Sequence, residues 1–231
     1  MLKADRTARK ALVTGTSSGI GEAIARRLLH DGWDVLGLDR ARPSIDAAKF
    51  KAIAVDVTNE VEVSRRVAAE GEVTAVVHAA GYMRVASVGD LNLDDGENMW
   101  RVHVHAASIL ANALAPRLPA GGRIVLIGSR AASGAAGRSQ YAATKAALVG
   151  MARSWAIELA PRGITVNVVA PAATDTPMLR DGARAAVAPR TPPIGRFVRP
   201  EEVAALVAFL LSDDAAAITG QQLVICGGSS L

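Results

Sequence analysis

The chain has 231 residues, half of them apolar and 21% charged, which excludes an unstructured polymer and is enough to bury a substantial core. The net charge of +4 raises nucleic acid as a partner, but 22 acidic residues are interspersed, aromatics make up only 3%, and no basic run is interleaved with stacking side chains, so none is expected. No run of about 18 apolar residues, no apolar stretch before a cleavage site and a single cysteine, Cys226, fit a cytoplasmic protein with no membrane span and no intrachain disulfide.

Apolar runs alternate with helical patterns along the chain. Residues 11–13 lead as a strand into a glycine loop, and 20–30 read as a helix. Strands follow at 35–38, ending at Asp39, and at 52–55, ending at Asp56. Thr58 is placed to cap a helix to about residue 70. A strand at 73–77 precedes helical spacing over 95–118. The run 123–127 is a strand, 140–159 an Ala-rich helix, and 165–169 a strand stopped by Pro171. Pro200 suits the first turn of a helix to 211, and 223–225 is the last strand. Strands that are apolar throughout and separated by helices imply a parallel sheet covered on both faces. The expected fold is α/β, a doubly wound seven-stranded parallel sheet (Rossmann-like) with helices on both faces, in one domain over 1–231. The irregular stretch at about 172–199 carries four prolines and is expected to be a substrate lid.

TGTSSGIG (14–21) follows the first strand and opens a helix. Glycines let backbone approach a phosphate, and the helix start adds unpaired N–H groups, which suits a pyrophosphate. Asp39 lies twenty residues after Gly19. A carboxylate there can accept from both ribose hydroxyls of an adenosine and repels a 2′-phosphate. NAD is therefore expected in preference to NADP, with Arg40 as the residue that would tolerate a 2′-phosphate. Asp56 and Val57, after the third strand, are placed where an adenine edge would bind.

SRAASGAAGRSQYAATK (129–145) is the second constellation. Tyr141 and Lys145 are four residues apart, so they share a helix face. A lysine cation roughly 4–5 Å from a phenol favours the phenolate by on the order of 3 kcal/mol, about two pKa units. That makes Tyr141 a candidate general acid/base. Ser129 stands at the carboxyl edge of its strand, placed to hold a substrate carbonyl or alcohol oxygen.

Together these stretches resemble the short-chain dehydrogenase/reductase family. TGTSSGIG resembles its TGxxxGxG motif, HAAG (78–81) its NNAG-type motif, and Ser129 with YAATK (141–145) its Ser and YxxxK set. NVVAPAATDT (167–176) resembles its NxxxPGxxxT segment, and PIGRF (193–197) with PEEVA (200–204) the stretch after its lid. The nearest general appearance is to 3-oxoacyl-carrier-protein reductases. The resemblance implies hydride transfer between nicotinamide and a secondary alcohol or ketone. Tyr141 would be the proton carrier, with Lys145 lowering its pKa and binding nicotinamide ribose, and Ser129 orienting the substrate oxygen. It also implies Gly15, Ser17, Ser18, Gly19 and Ile20 around the pyrophosphate, Ala80 and Gly81 lining the cofactor, and Thr174 and Thr176 near carboxamide and phosphates. A homodimer or homotetramer is implied as well. A non-catalytic NAD(P)-binding sensor on the same fold is the alternative. An epimerase would want a larger C-terminal domain, and an enoyl reductase a wider Tyr–Lys spacing.

The substrate is open among 3-oxoacyl thioesters, sugars, hydroxysteroids and cyclic alcohols. Tyr82 and Met83 are candidates for an apolar wall. The lid's Arg180, Arg184 and Arg190, set against Asp175 and Asp181, read as solvated surface in preference to an anion-attracting patch. The chain departs from the family pattern at His78, where NNAG has its first Asn, at Ala172, where a Gly follows Pro171, and in NMWRVHVHAAS (98–108). His103 and His105, two apart on a helix, point about 200° from each other, so no metal is expected there. Val102-His103-Val104 puts His103 where the family has a catalytic Asn that holds a water linked to the lysine. Two readings stand for His103: a proton relay that titrates between about pH 5 and 8, or a satisfied helix histidine. His105 reads as structural.

Overall fold

The computed structural model describes residues 9–182 and 187–231. β1 (Lys10–Thr14), β2 (Asp34–Asp39), β3 (Phe50–Ala54), β4 (Ala75–His78), β5 (Arg123–Ile127), β6 (Thr165–Pro171) and β7 (Gln222–Ile225) form one parallel sheet in the order β3-β2-β1-β4-β5-β6-β7. The chain runs outward from β1 to β3, then returns to lay β4 on the other side of β1, with Val13 paired to Gly37 on one side and Val77 on the other. That reversal opens a crevice past the carboxyl ends of β1 and β4, where sheets of this kind bind ligands.

Alternation along the strands divides the core in two. Leu12, Leu36, Leu38, Val76, Ile124 and Leu126 face α2 (Glu60–Ala68), α4 (Ala106–Leu114) and α5 (Ser139–Leu159). Ala11, Val13, Val35, Val77 and Val125 face α1 (Gly19–His30) and α6 (Pro200–Leu210). Each fully buried Leu or Ile contributes roughly 1.5–3 kcal/mol relative to exposure, so this two-sided burial is the main force holding the sheet flat against both helix layers. The doubly wound α/β fold is as expected. A smaller apolar cluster, Met83, Met99, Ala131 and Tyr141, sits beside the crevice.

β3 and β4 are displaced by one to two residues at each end from the expected 52–55 and 73–77, and β6 runs through Pro171, which pairs with Ile225. Two expected helices differ more. The cap of α2 is Asn59, whose side chain accepts from Glu62 N at 3.0 Å. Thr58 is diverted because its amide and hydroxyl both donate to Asp56 Oδ1, a local turn that competes with capping. The helix expected over 95–118 is not uniform. It starts as α3 (Leu93–Trp100), capped by Asn92, widens into a π-turn at Arg101–His105, and resumes as α4. Pro116 then closes it in a 3₁₀ turn at Ala115–Arg117. In the 172–199 segment a 3₁₀ turn spans Pro177–Arg180, and the base is pinned by Asp175 N to Val198 O and Val198 N to Ala173 O. Among the described residues no helix is long and apolar enough to cross a membrane.

Candidate active site

The crevice is a cavity of about 680 Å³. Gly15, Ser18, Gly19 and Ile20 line one end, Gly81, Tyr82 and Met83 a wall, Ser129, Tyr141 and Lys145 the middle, and Thr174 and Thr176 the opposite rim. Gly15 holds φ +77°, and a Cβ there would lie 3.0 Å from the Ala80 backbone, so only glycine keeps the loop this close to the end of β4. Ser18 is the N-cap of α1 but makes no side-chain cap bond, so its hydroxyl leaves the first-turn N–H groups beside the cavity uncapped. An uncapped helix start at the mouth of a cavity fits a pyrophosphate.

Asp39 stands at the edge of this loop. Its Oδ2 accepts from Ser17 N at 3.0 Å and Ser17 Oγ at 2.7 Å, and Oδ1 from Ala41 N at 3.0 Å. A carboxylate has about four acceptor sites, so taking both ribose hydroxyls requires Ser17 Oγ to release its bond. Arg40 leans to Asp56 at 3.9 Å. Thr58 takes Asp56 Oδ1 and Val57 packs into the core facing α2; neither lines the cavity, and Ser17 and Asp39 also stand outside its lining. Ala80 is likewise behind the wall, its N–H donated to Thr14 Oγ1 at 2.9 Å. Thr174 Oγ1 donates to Ala172 O and Thr176 Oγ1 to Thr174 O, which shapes the rim.

Ser129 lies two residues past β5 and is buried, with Oγ accepting from Ala131 N at 3.1 Å. Tyr141 and Lys145 are buried one turn apart on α5. Lys145 Nζ donates to Ile127 O at 2.8 Å and lies 5.8 Å from the Tyr141 ring centre. Burial, with no carboxylate to offset it, pushes the Lys145 pKa down to about 7.

The two histidines of 98–108 part company. His105 is exposed and His103 fully buried. Tyr82 N donates to His103 Nε2 at 3.2 Å, and His103 Nδ1 lies 2.8 Å from Thr144 Oγ1, which donates to Tyr141 O at 2.8 Å. The ring is also edge-on to Tyr141, with centres 5.7 Å apart. Burial, then Lys145 and His78, hold its pKa well below the usual histidine value. A relay that titrates between pH 5 and 8 therefore does not fit: one ring nitrogen accepts from an amide that cannot give up its proton, and the other is committed to Thr144. His78 is buried as well, 3.0 Å from Thr14 Oγ1 at Nδ1 and from Val102 O at Nε2. Among the described residues no three potential ligands gather for a metal.

Sequence reasoning passed over Thr14 and Thr144, the hydroxyls that anchor these rings, because an isolated threonine carries no pattern. It also passed over a charge signal. From Asn98 to Ile157 the chain has no Asp or Glu, and this stretch supplies Arg130 and Arg138 to the cavity. With Lys145 and Arg190 they are its charged side chains, and no Asp or Glu side chain lines it among the described residues. Of the other expected surface arginines, Arg180 pairs with Asp175 at 2.5 Å, and Arg184 lies outside the described residues.

A family profile described as Enoyl-(Acyl carrier protein) reductase matches residues 15–230. The chain belongs to the short-chain dehydrogenase/reductase family. It is 38% identical to the 3-oxoacyl-[acyl-carrier-protein] reductase FabG of Salmonella typhimurium, over 94% of this chain and 96% of that one. It is 35% identical to the cyclic-di-GMP-binding biofilm dispersal mediator protein of Escherichia coli, over 96% and 97%. A short-chain dehydrogenase from Burkholderia cenocepacia, solved in complex with NADP, is similar at a TM-score of 0.84 and 37% identity, covering 97% of this chain and 99% of that one. This membership and the shared fold make the protein an oxidoreductase that binds a nicotinamide cofactor.

Proposed function

We propose that the protein reduces a ketone, or oxidises the matching secondary alcohol, with Tyr141 as general acid/base. The observation that carries this reading is the convergence of Ser129, Tyr141 and Lys145 on one cavity beside the uncapped start of α1. The cofactor, when bound, supplies or accepts the hydride. Ser129 donates its hydroxyl proton to the substrate oxygen and fixes its position. Tyr141 gives a proton to that oxygen in reduction and takes it in oxidation. Lys145, as a buried cation, favours the Tyr141 phenolate and so eases both directions. A pKa near 7 lets Lys145 itself exchange a proton at neutral pH. Gly15, Ser18, Gly19 and Ile20 hold the pyrophosphate, Gly81, Thr174 and Thr176 line its path, and the 172–199 segment acts as the substrate lid. Asp39 favours NAD, since a 2′-phosphate would meet its carboxylate; the NADP bound by the Burkholderia relative makes this the point to measure. The four-residue spacing of Tyr141 and Lys145 supports carbonyl over enoyl reduction.

The one-signed lining of Arg130, Arg138 and Arg190 favours a substrate that carries an anionic group away from its carbonyl. Exposed Trp100, Ile157, Phe209 and Val224 offer apolar surface for a homodimer or homotetramer, which light scattering would report. The test of function is a screen of matched neutral and carboxylate-bearing ketones and alcohols with NAD(H) and NADP(H), followed by absorbance of the reduced cofactor. Turnover with NAD(H), at a higher kcat/KM for the anionic member of each pair, is the expected result. Cofactor binding with no turnover across the screen would instead favour a non-catalytic sensor, and faster turnover with NADP(H) would overturn the role given to Asp39.

A further inference from the structure

His78 and His103 come from separate elements, β4 and the π-turn, yet every polar atom of both rings is engaged. The partners fix each proton. Tyr82 N–H can only donate, so His103 Nε2 is an acceptor and Nδ1 carries the hydrogen. That hydrogen goes to Thr144 Oγ1, whose own proton goes to Tyr141 O. Val102 O can only accept, so His78 carries its hydrogen on Nε2, and Nδ1 accepts from Thr14 Oγ1. Thr14 Oγ1 in turn accepts from Ala79 N at 3.0 Å and Ala80 N at 2.9 Å. The two rings are thus opposite tautomers in two sets of bonds that meet at the adjacent residues Val102 and His103.

The pair joins the parts that must keep their distance during catalysis. It starts at Thr14, the last residue of β1, crosses the end of β4, and grips Val102 inside the π-turn, where Ala106 N bonds Arg101 O five residues back. From His103 it reaches the wall at Tyr82 and the helix carrying Tyr141 and Lys145. The fit is tight: a Cβ on Gly81 would lie 2.8 Å from His103 Nε2. The ionisable groups facing the rings are Lys145, Tyr141 and Tyr82, with no carboxylate partner among the described interactions.

We propose that His78 and His103 form a two-histidine clamp that positions Tyr141 against the 81–83 wall, acting as neutral rings of fixed and opposite tautomer that take no proton during turnover. The effect on turnover rests on the oxidoreductase reading above; the state of the rings does not. A shift of about 1 Å in a catalytic group is enough to cost on the order of 10²-fold in rate, so a clamp of this kind acts on kcat.

The test has two arms. In the first, nitrogen-15 NMR of the histidine rings follows the wild-type protein from pH 5.5 to 8, with His78→Asn and His103→Gln to assign signals. Exposed His30 and His105 supply the remaining two ring signals. His78 and His103 should give two non-titrating rings, one protonated at Nε2 and the other at Nδ1. Titration of either near pH 6.5, or two rings of the same tautomer, would overturn the proposal whatever the enzyme's activity. In the second arm, His103→Leu should lower kcat by about 10-fold or more, leaving KM and cofactor Kd within about 3-fold. His103→Gln, whose amide again offers an acceptor and a donor, should recover most of that loss. Adding His78→Asn to His103→Leu should cost less than the sum of the two single losses, because both act on one unit. Full kcat in His103→Leu, or additive losses, would overturn the clamp. Loss of cofactor binding alone would overturn it too, by placing these residues in the cofactor site.

Discussion

Lys145 shows what a single side chain costs the fold for the sake of the site. Its ammonium is buried against a backbone carbonyl with no anion beside it, and its pKa falls to about 7 in the folded state from 10.5. Between those values the unfolded chain binds more protons, so this group adds stability as pH rises from about 7 to 10.5 and withholds it below. Lys145→Met should therefore abolish turnover and yet raise the thermal midpoint of the cofactor-free protein at pH 7 by about 3 °C or more, at roughly 2–4 °C per kcal/mol for a chain of this size. A lower midpoint would mean that the lysine is held by interactions stronger than its burial penalty. Asp39 shows the other side of residue-scale reading. Its place at the end of β2 was legible from spacing, but its existing bonds to Ser17 were not, because they depend on how the glycine loop folds back over the strand end.

The segment from Leu93 to Leu114 is where sequence pattern and structure diverge most usefully. Apolar periodicity gave a helix, and a helix is there, but the pattern carries no mark of the extra residue that widens it at Arg101–His105. The π-turn is set by tertiary bonds, His78 to Val102 O and His103 to Tyr82 and Thr144, contacts between residues 21 to 41 positions apart. By contrast, β5, α5 and α6 were legible almost to the residue, because an unbroken apolar run, Leu159 before Pro161, and Pro200 are local signals. Thr58 lost the cap of α2 to Asn59 for an equally local reason, the Asp56 carboxylate two residues upstream. The same tight packing predicts that Gly81→Ala lowers stability by about 1–3 kcal/mol, since its methyl must displace a ring bonded at both nitrogens. A urea titration checks this, and an unchanged midpoint would show that His103 is free to move.

At the scale of the whole molecule, the doubly wound sheet sets the site by topology. The strand order reverses between β1 and β4, and the residues named in advance as Gly15, Gly81, Ser129, Tyr141, Lys145 and Thr174 come from five loops and helices that meet only there. Asp56 and Val57 were placed by the same logic, but the structure leaves them outside the cavity, one turned into a local turn and the other into the core. The two buried histidines also give the molecule a pH signature. His78, with a folded pKa of about 4, and His103, also well below 6.5, are neutral in the fold and protonated in the unfolded chain as pH falls. Their stability contribution is present above about pH 6.5 and is lost toward pH 4, at up to about 1.4 kcal/mol per pH unit for each. Denaturant unfolding at pH 7, 6, 5 and 4 should show this fall, and His78→Asn/His103→Gln should flatten it. A wild-type profile flat from 6.5 to 5 would contradict the neutral burial of both rings.

The central claim is that Tyr141 moves the proton in a nicotinamide-dependent carbonyl reaction. Tyr141→Phe, assayed with the best substrate of the screen by absorbance of the reduced cofactor, tests it most directly. The prediction is a fall in kcat of about 10²- to 10⁴-fold, the range for loss of a general acid/base, with cofactor Kd unchanged within about 3-fold. Turnover at the wild-type rate would contradict it.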